Sequence, residues 1–483
     1  MTEPTLDVAV IGCGFSGLAM ARALAARGNH QFRIFEKSAE PGGTWRENRY
    51  PGAACDVPSH LYSLSDAPNA DWTRLFPRQA EIRRYLDTLA APFRADDRIE
   101  FGFELAAAHW DDTERLWTLQ AADGRRTRAR HLVLGLGGLH HIKWPDLSGR
   151  ESFRGTLIHT AQWPADLDLR GKRVAVIGTG ASAAQTVPAI VDRVQSLHVF
   201  QRTPTWILPR PDVGIPAWVR RVMAMVPPLR LMLRAAVFVW LELLSIGLRK
   251  PWTAGWARWL ARRQLRRQVT DPALRARLAP AFPIGCKRVL FASDYYPALQ
   301  QPQCRLVTDS LDAFTPTGVR LDGGSELDFD VIVCASGFDP RAAIDRIDIR
   351  GRDGMRLADL WKERPVSHLG ITTVGMPNLY FLLGPNTALG HNSVLYMIET
   401  QVRHVLGALD HCARHDASQV EPTAEAQSAF MQRIDQRFRG TAWTGCRSWY
   451  VDAEGRNIAL WVGSATGYRR AAGTFRVRDY RLG

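Results

Sequence analysis

Two stretches of this chain have the residue types and spacing to hold a phosphate-bearing ligand, and each would join a strand to a helix. The first is Gly12-Cys13-Gly14-Phe15-Ser16-Gly17. The apolar run DVAVIG before it reads as a buried parallel strand, and LAMARALAARG after it has helical spacing. In such a turn Gly12 permits a tight bend, Gly14 lets the backbone approach a pyrophosphate, and Gly17 lets helix and strand pack closely. The helix N-terminus adds partial positive charge. A second strand, FRIFEK, ends near Glu36, 24 residues after Gly12, where an acid accepts hydrogen bonds from ribose hydroxyls. The alternative is a tight structural turn with no ligand.

The pattern returns further on. RVAVIG leads into Gly178-Thr179-Gly180-Ala181-Ser182-Ala183, with Ala183 in place of the last glycine and Ser182 in the first helical turn. Arg202 stands 24 residues after Gly178, where the first copy has its acid. An arginine there suits a 2′-phosphate; otherwise it is a surface charge at a strand end. Two dinucleotide folds in one chain suggest two cofactors with electrons passing between them. FAD is expected beside Glu36 and NADPH beside Arg202.

The elements that must position these groups form an α/β protein of two Rossmann-like dinucleotide-binding domains with a helical insert. A length of 483 residues exceeds a single hydrophobic core. The FAD-binding domain is expected to be discontinuous, 1–147 and 325–483, with FDVIVCASGFD supplying a returning strand. The NADP-binding domain is expected over 148–324, containing the insert at 212–275. Hydrophobic content of 46% and charged content of 23% are those of a soluble globular protein. The formal charge of +14 suits nucleic acid, a membrane surface or anionic cofactors. No helix-turn-helix, zinc-finger or RNP pattern is present, so nucleic acid is not expected. Seven scattered cysteines without a C-x-x-C pair argue against a disulfide framework, a metal site and a thiol redox pair. A reducing cytoplasm fits that usage, and MTEPTLDVAVIG is not a signal peptide.

Five more stretches carry a resemblance. FRGTLIHTAQWP holds Phe153, Gly155, His159, Trp163 and Pro164 as F-x-G-x-x-x-H-x-x-x-W-P. GGTWRENRYPGAACD spans 42–56, CKRVL spans 286–290, LGPNTALGHNS spans 383–393 and CRSWY spans 446–450. On these motifs the chain, apart from roughly 212–275, resembles the Baeyer–Villiger monooxygenases, a branch of the class B flavin-dependent monooxygenases. The last two motifs resemble its hydroxyacetophenone monooxygenase-like subgroup. The resemblance implies an NADPH- and O2-dependent flavoprotein that inserts one oxygen into a small lipophilic ketone, giving an ester or lactone through a C4a-peroxyflavin. The alternative in the same class is N- or S-oxygenation of a lipophilic amine or sulfide, although such relatives usually carry an aromatic residue and Lys where this chain has Trp163-Pro164. A pyridine nucleotide–disulfide reductase shares the two-nucleotide layout but needs the missing C-x-x-C. A flavoprotein that binds without turnover would not need Asp56 and Arg288.

The resemblance also implies roles. Arg288 would stabilise the negative peroxide as the catalytic cation, and Asp56 would orient Arg288 and the nicotinamide amide. Lys287 would join Arg202 on the 2′-phosphate. Thr44, Trp45 and Tyr62 would line the flavin, with Tyr62 equally readable as a core aromatic. His159, with Phe153, Gly155 and Trp163, would organise the linker between the domains rather than act as a base. The family often has Arg where this chain has Ala54, so nicotinamide positioning is expected to differ.

The insert reads in two ways. RLMLRAAVFVWLELLSIGLRK is interrupted by Arg234 and Glu242, which argues against a spanning helix. It would pack over the substrate site. In a second reading, compatible with the first, Trp240, Trp252, Trp256 and Trp259, beside Arg258, Arg262, Arg263, Arg266 and Arg267, would give a peripheral membrane contact through 231–267.

Overall fold

The computed structural model describes residues 5–249, 254–446 and 448–483. The chain begins with β1 (Leu6–Ile11), α1 (Phe15–Ala26) and β2 (Phe32–Glu36), then α2 (Thr44–Glu47) and α3 (Gln79–Ala95). Strands β3 (Ile99–Phe101), β4 (Leu105–Asp111), β5 (Leu116–Ala121) and β6 (Arg126–Leu134) complete the first part. A second unit opens with β7 (Thr156–His159), β8 (Arg173–Ile177), α4 (Ala181–Ile190), β9 (Ser196–Phe200) and β10 (Ile207–Leu208). Four helices follow: α5 (Ala217–Met225), α6 (Pro227–Arg249), α7 (Gly255–Gln268) and α8 (Pro272–Leu278). Then come β11 (Leu290–Phe291), β12 (Cys304–Val307), β13 (Leu311–Phe314), β14 (Gly318–Leu321), β15 (Glu326–Asp328) and β16 (Val331–Cys334). The chain returns through β17 (Asp348–Arg350), β18 (Leu379–Phe381), α9 (Val394–His415) and α10 (Ala465–Ala472).

The first sheet has the order β17-β4-β5-β6-β1-β2-β3, with β18 also pairing β6. The second has the order β12-β9-β8-β16-β7 and is parallel throughout. β1 and β8 both sit inside their sheets, which is why their sequences are continuous β-branched and apolar runs rather than alternating ones. Each glycine turn therefore lies at the carboxyl end of an interior strand, where α/β sheets bind ligands.

One boundary differs from the sequence expectation. Val331–Cys334 pairs with β7 and β8, so the run FDVIVCASGFD closes the second sheet and does not return to the first. Its apolar pattern marks a buried parallel strand but carries no information about which sheet receives it. The strands that return to the first sheet are β17 and β18.

Two segments cross between the sheets and pair with each other. Lys143 N–H donates to the Gly337 carbonyl at 3.0 Å, and Asp339 N–H donates to the His141 carbonyl at 2.8 Å. Ile142 and Phe338 form an antiparallel bridge. The connection is thus a two-stranded ribbon.

The insert helices leave from β10 and return at β11, which pair in parallel. α6 packs on the first unit. Arg234 Nη1 donates to the carbonyls of His60 at 3.2 Å and Ser63 at 2.8 Å. Glu242 Oε1 accepts from Asn392 Nδ2 at 3.0 Å and from Ala465 N–H, the start of α10, at 2.9 Å. The Phe238 ring meets Tyr396, on α9, at 4.7 Å. Among the described residues no single helix is long and apolar enough to cross a membrane; α5 and α6 pass that test only as a pair bent by 107°. Trp252 lies outside the described residues.

Close packing explains the first turn. Gly12 has φ +96°, and a Cβ on Gly17 would stand 1.8 Å from the Gly12 carbonyl oxygen. Gly17→Ala is expected to cost about 1–3 kcal/mol through that overlap and to lower both the thermal midpoint and the flavin content of the purified protein. Gly323→Ala, where a Cβ meets nothing within 4 Å, is the control expected to change neither.

Candidate active site

The first turn reaches its acid directly. Glu36, at the end of β2 and 5% exposed, accepts from Cys13 N–H at 2.8 Å and from Ser38 N–H at 3.0 Å. Arg46, on α2, approaches the same carboxylate at 3.3 Å. The carboxylate is held in place by the loop whose cofactor it would serve. Gly14, at the α1 N-terminus, receives no side-chain cap, so the first-turn N–H groups stay available. A Cβ on Gly14 would lie 3.6 Å from Gly43 Cα, so the glycine turn and GGTW lie side by side.

Thr44 begins α2 and Trp45 follows it. Trp45 Nε1 donates to Tyr62 Oη at 2.9 Å, with the rings edge to face at 5.8 Å. Tyr62 also meets Phe15 of the glycine turn, edge to face at 5.2 Å. The structure therefore gathers Gly12, Gly14, Gly17, Glu36, Thr44, Trp45 and Tyr62 around one end of β1.

The second turn is also uncapped: Gly180 precedes α4 without a side-chain cap, and a Cβ there would meet nothing within 4 Å. Ser182 is half-buried in the first turn of α4. Arg202 follows β9 and is exposed. Burial lowers the proton affinity of Lys287, and repulsion from Arg202 lowers it further. Two cations thus stand near each other, and neither has a carboxylate at ion-pair distance among the described residues. Two such cations without a carboxylate partner have the charge to attract an anion.

Arg288 and Asp56 meet although they are 232 residues apart. Asp56 Oδ2 accepts from Arg288 Nε at 3.1 Å and from Nη2 at 2.5 Å. Nη1 has no protein partner among the described residues. Asp56 raises the proton affinity of the guanidinium above its ordinary value, against the effect of burial. The arginine side chain keeps 37% exposure, so the pair is open to solvent on one side.

Sequence reasoning missed the residues that bring these loops together. Gln185, on α4, accepts from Tyr50 Oη at 3.0 Å and from Ala54 N–H at 3.3 Å, and donates to the Ala54 carbonyl at 2.9 Å. Gly52 has φ +83°, and a Cβ there would stand 2.3 Å from the Gln185 carbonyl oxygen. The glycine of Tyr50-Pro51-Gly52 is thus where the loop bearing Asp56 lies flat on the second unit. Arg210 donates to the Cys55 carbonyl at 3.4 Å and stacks on Phe76 at 5.0 Å. Tyr450 lies within electrostatic reach of both Arg288 and Asp56, and burial raises its proton affinity. The one available signal for it was the motif CRSWY.

The cysteines need a correction. Cys286 and Cys446 form a disulfide across 160 residues of sequence. It joins CKRVL to CRSWY, next to Lys287 and Arg288. Scattered spacing concealed a pair that only the fold brings together.

His159 ends β7 and is fully buried. Its Nδ1 accepts from Ala161 N–H at 3.2 Å. Its ring meets Trp144 at 5.9 Å and Phe338 at 5.6 Å, both edge to face. Those two rings come from the two crossing segments, one each. Phe153 packs under Gly155, where a Cβ would stand 2.5 Å from the Phe153 ring. Trp163 is buried, and its carbonyl accepts from Arg49 Nε at 3.0 Å. This cluster is remote from the Arg288 guanidinium in its contacts and close to the ribbon.

Comparison with known proteins gives matches to family models over parts of the chain and to relatives and solved structures over its whole length. The family described as an NAD(P)-binding Rossmann-like domain matches residues 10–78. The family described as L-lysine 6-monooxygenase/L-ornithine 5-monooxygenase matches residues 70–211, under a third of the chain. A Baeyer–Villiger monooxygenase of Pseudomonas aeruginosa is 42% identical over 100% of this chain and 93% of its own length. Among solved structures, OTEMO in complex with FAD and NADP is similar at a TM-score of 0.90 with 26% identity, covering 100% of both chains. Oxidized steroid monooxygenase bound to NADP is similar at 0.88 with 29% identity, covering 99% of each.

The surroundings of His159 give a pH dependence. Burial depresses its pKa from 6.5 to about 4. The folded ring stays neutral where the unfolded chain already binds a proton, so its contribution to stability is whole above pH 6.5 and drains away as pH falls towards 4. Thermal midpoints measured across that range are expected to fall with pH, and His159→Gln is expected to flatten part of the slope.

Proposed function

The chain belongs to the Baeyer–Villiger monooxygenases, and on that footing we propose that Arg288, fixed by Asp56, carries the charge stabilisation in its reaction. The enzyme is an FAD-dependent NADPH monooxygenase that inserts one atom of O2 into a ketone. When bound, FAD supplies oxygen activation and NADPH supplies the hydride. The remaining work falls to this chain's own residues.

The observation that carries the proposal is the geometry of the Arg288–Asp56 pair. Asp56 engages Nε and Nη2 and leaves Nη1 as a donor for a ligand. A guanidinium held in one plane, with its proton secured, presents fixed positive charge where negative charge develops on the reacting oxygen atoms. From the C-terminal segment, Tyr450 lies within electrostatic reach of this position, and the disulfide tethers Cys286 two residues before Arg288. The first glycine turn, with Glu36, Thr44, Trp45 and Tyr62, holds FAD in this reading. The uncapped α4 N-terminus with Gly178, Gly180 and Ser182 holds the NADP pyrophosphate, and Arg202 with Lys287 holds its 2′-phosphate. His159, with Phe153, Gly155 and Trp163, positions the ribbon between the units. A lipophilic ketone is the substrate class, and a peripheral membrane contact through 231–267 belongs to the same reading of its partners.

The direct test supplies purified enzyme with NADPH, O2 and a panel of lipophilic ketones, and identifies the product by mass spectrometry with labelled oxygen. One labelled atom in an ester or lactone is expected. Oxidation of amines or sulfides with all ketones untouched would overturn the reading. Arg288→Ala is expected to lower ester formation by about 10²-fold while NADPH is still consumed and hydrogen peroxide is released. Arg202→Ala is expected to raise the KM for NADPH by roughly tenfold and leave that for NADH unchanged. Equal effects on both nucleotides would remove Arg202 from the 2′-phosphate.

A further inference from the structure

A helix on the surface of a folded protein ordinarily turns its apolar stripe inward and its charges outward. α6 departs from that: beside Leu241 and Phe238 it turns two charges inward, and it keeps a second apolar face outward. Arg234 and Glu242 point into the protein, bonded to the loop at 60–63, to Asn392 and to the start of α10. The outward positions are Leu231 at 52%, Met232 at 68%, Val239 at 54%, Trp240 at 50% and Leu243 at 61% exposure. α5, which packs against α6, adds Trp218 and Met225, both exposed. α7, also packed on α6, buries Ala257, Ala261 and Leu265 and exposes Trp256, Trp259, Arg262, Arg263, Arg266 and Arg267. Arg258, Arg262, Arg263, Arg266 and Arg267 have no carboxylate at ion-pair distance among the described residues.

Deepening the partner reading above, we propose that the outward faces of α5, α6 and α7 dock the enzyme on an anionic lipid bilayer. The apolar side chains would enter the acyl boundary, and the α7 arginines would meet headgroup phosphates. Charge selects this occupant. Residues 213–270 hold eleven Arg or Lys against one acid, Glu242, and that acid is turned inward. A second copy of the chain would set these arginines against each other. Exposed tryptophans beside arginines suit the headgroup layer, where a ring has one apolar and one wet side. The 107° bend between α5 and α6 keeps the pair from forming one straight span. The inner side of α6 grips the loop that carries Tyr62, so docking and site share one helix.

The test is flotation of the flavin-loaded holoenzyme with vesicles of phosphatidylcholine alone or mixed with phosphatidylglycerol. Binding to the anionic vesicles, weakened by salt, is expected. Trp240→Glu with Leu243→Glu, and separately Arg262→Glu with Arg266→Glu, are expected to lower it at least about tenfold. Both variants are checked for retained flavin, and Leu243→Ser stands in if the first does not fold. No flotation with either vesicle would overturn the proposal, as would equal binding to both that the arginine variant leaves unchanged. A dimer in solution that Leu243→Ser splits would assign the face to a second copy and overturn it too. Flotation needs no turnover, so its failure and a failure to oxygenate ketones are read separately.

Discussion

The contact on which the site depends is the ion pair between Asp56 and Arg288. Its two partners belong to different units, and neither loop could hold it alone. The Asp56 loop lies flat on α4 because Gly52 has no side chain to keep it off and because Gln185 binds both the N–H and the carbonyl of Ala54. The Arg288 loop is held from below by Trp206, whose Nε1 donates to the Phe282 carbonyl at 2.9 Å, and from the side by the disulfide to Cys446. A charged pair placed this way is useful only if its geometry is imposed from outside, since a part-exposed pair contributes little stability of its own.

The nucleotide sites are preorganised in the same sense. Glu36 already accepts two backbone N–H bonds, so a ribose would meet a carboxylate that cannot turn away. Burial lowers the proton affinity of Lys287, and repulsion from the nearby Arg202 adds to that effect. In the proposed reading a bound 2′-phosphate would relieve that repulsion, since neither cation has a carboxylate at ion-pair distance among the described residues.

The glycine turns, Glu36 and Arg202 were legible because phosphate binding imposes fixed spacings on one continuous strand–turn–helix. Arg288, Asp56 and the His159 group were legible only through motif resemblance, because nothing in their local spacing predicts a meeting across the fold. The sheet that receives Val331–Cys334, the disulfide between Cys286 and Cys446, and the part played by Gln185 were not legible. Each depends on which surfaces come together after the units form. The arginine and glutamate inside α6 appeared in the sequence as interruptions of an apolar run. The structure places them on its inward side, beside Leu241 and Phe238, which period alone could not orient.

Among the contacts between the two units, two differ in kind from the rest: the paired crossing segments around His159, where the backbone itself passes over, and the Cys286–Cys446 bond. Others, through Gln185, Arg210 and Arg234, are hydrogen bonds. The sulfur bond therefore closes a covalent ring that runs through both units, and a reductant would open that ring next to Lys287 and Arg288.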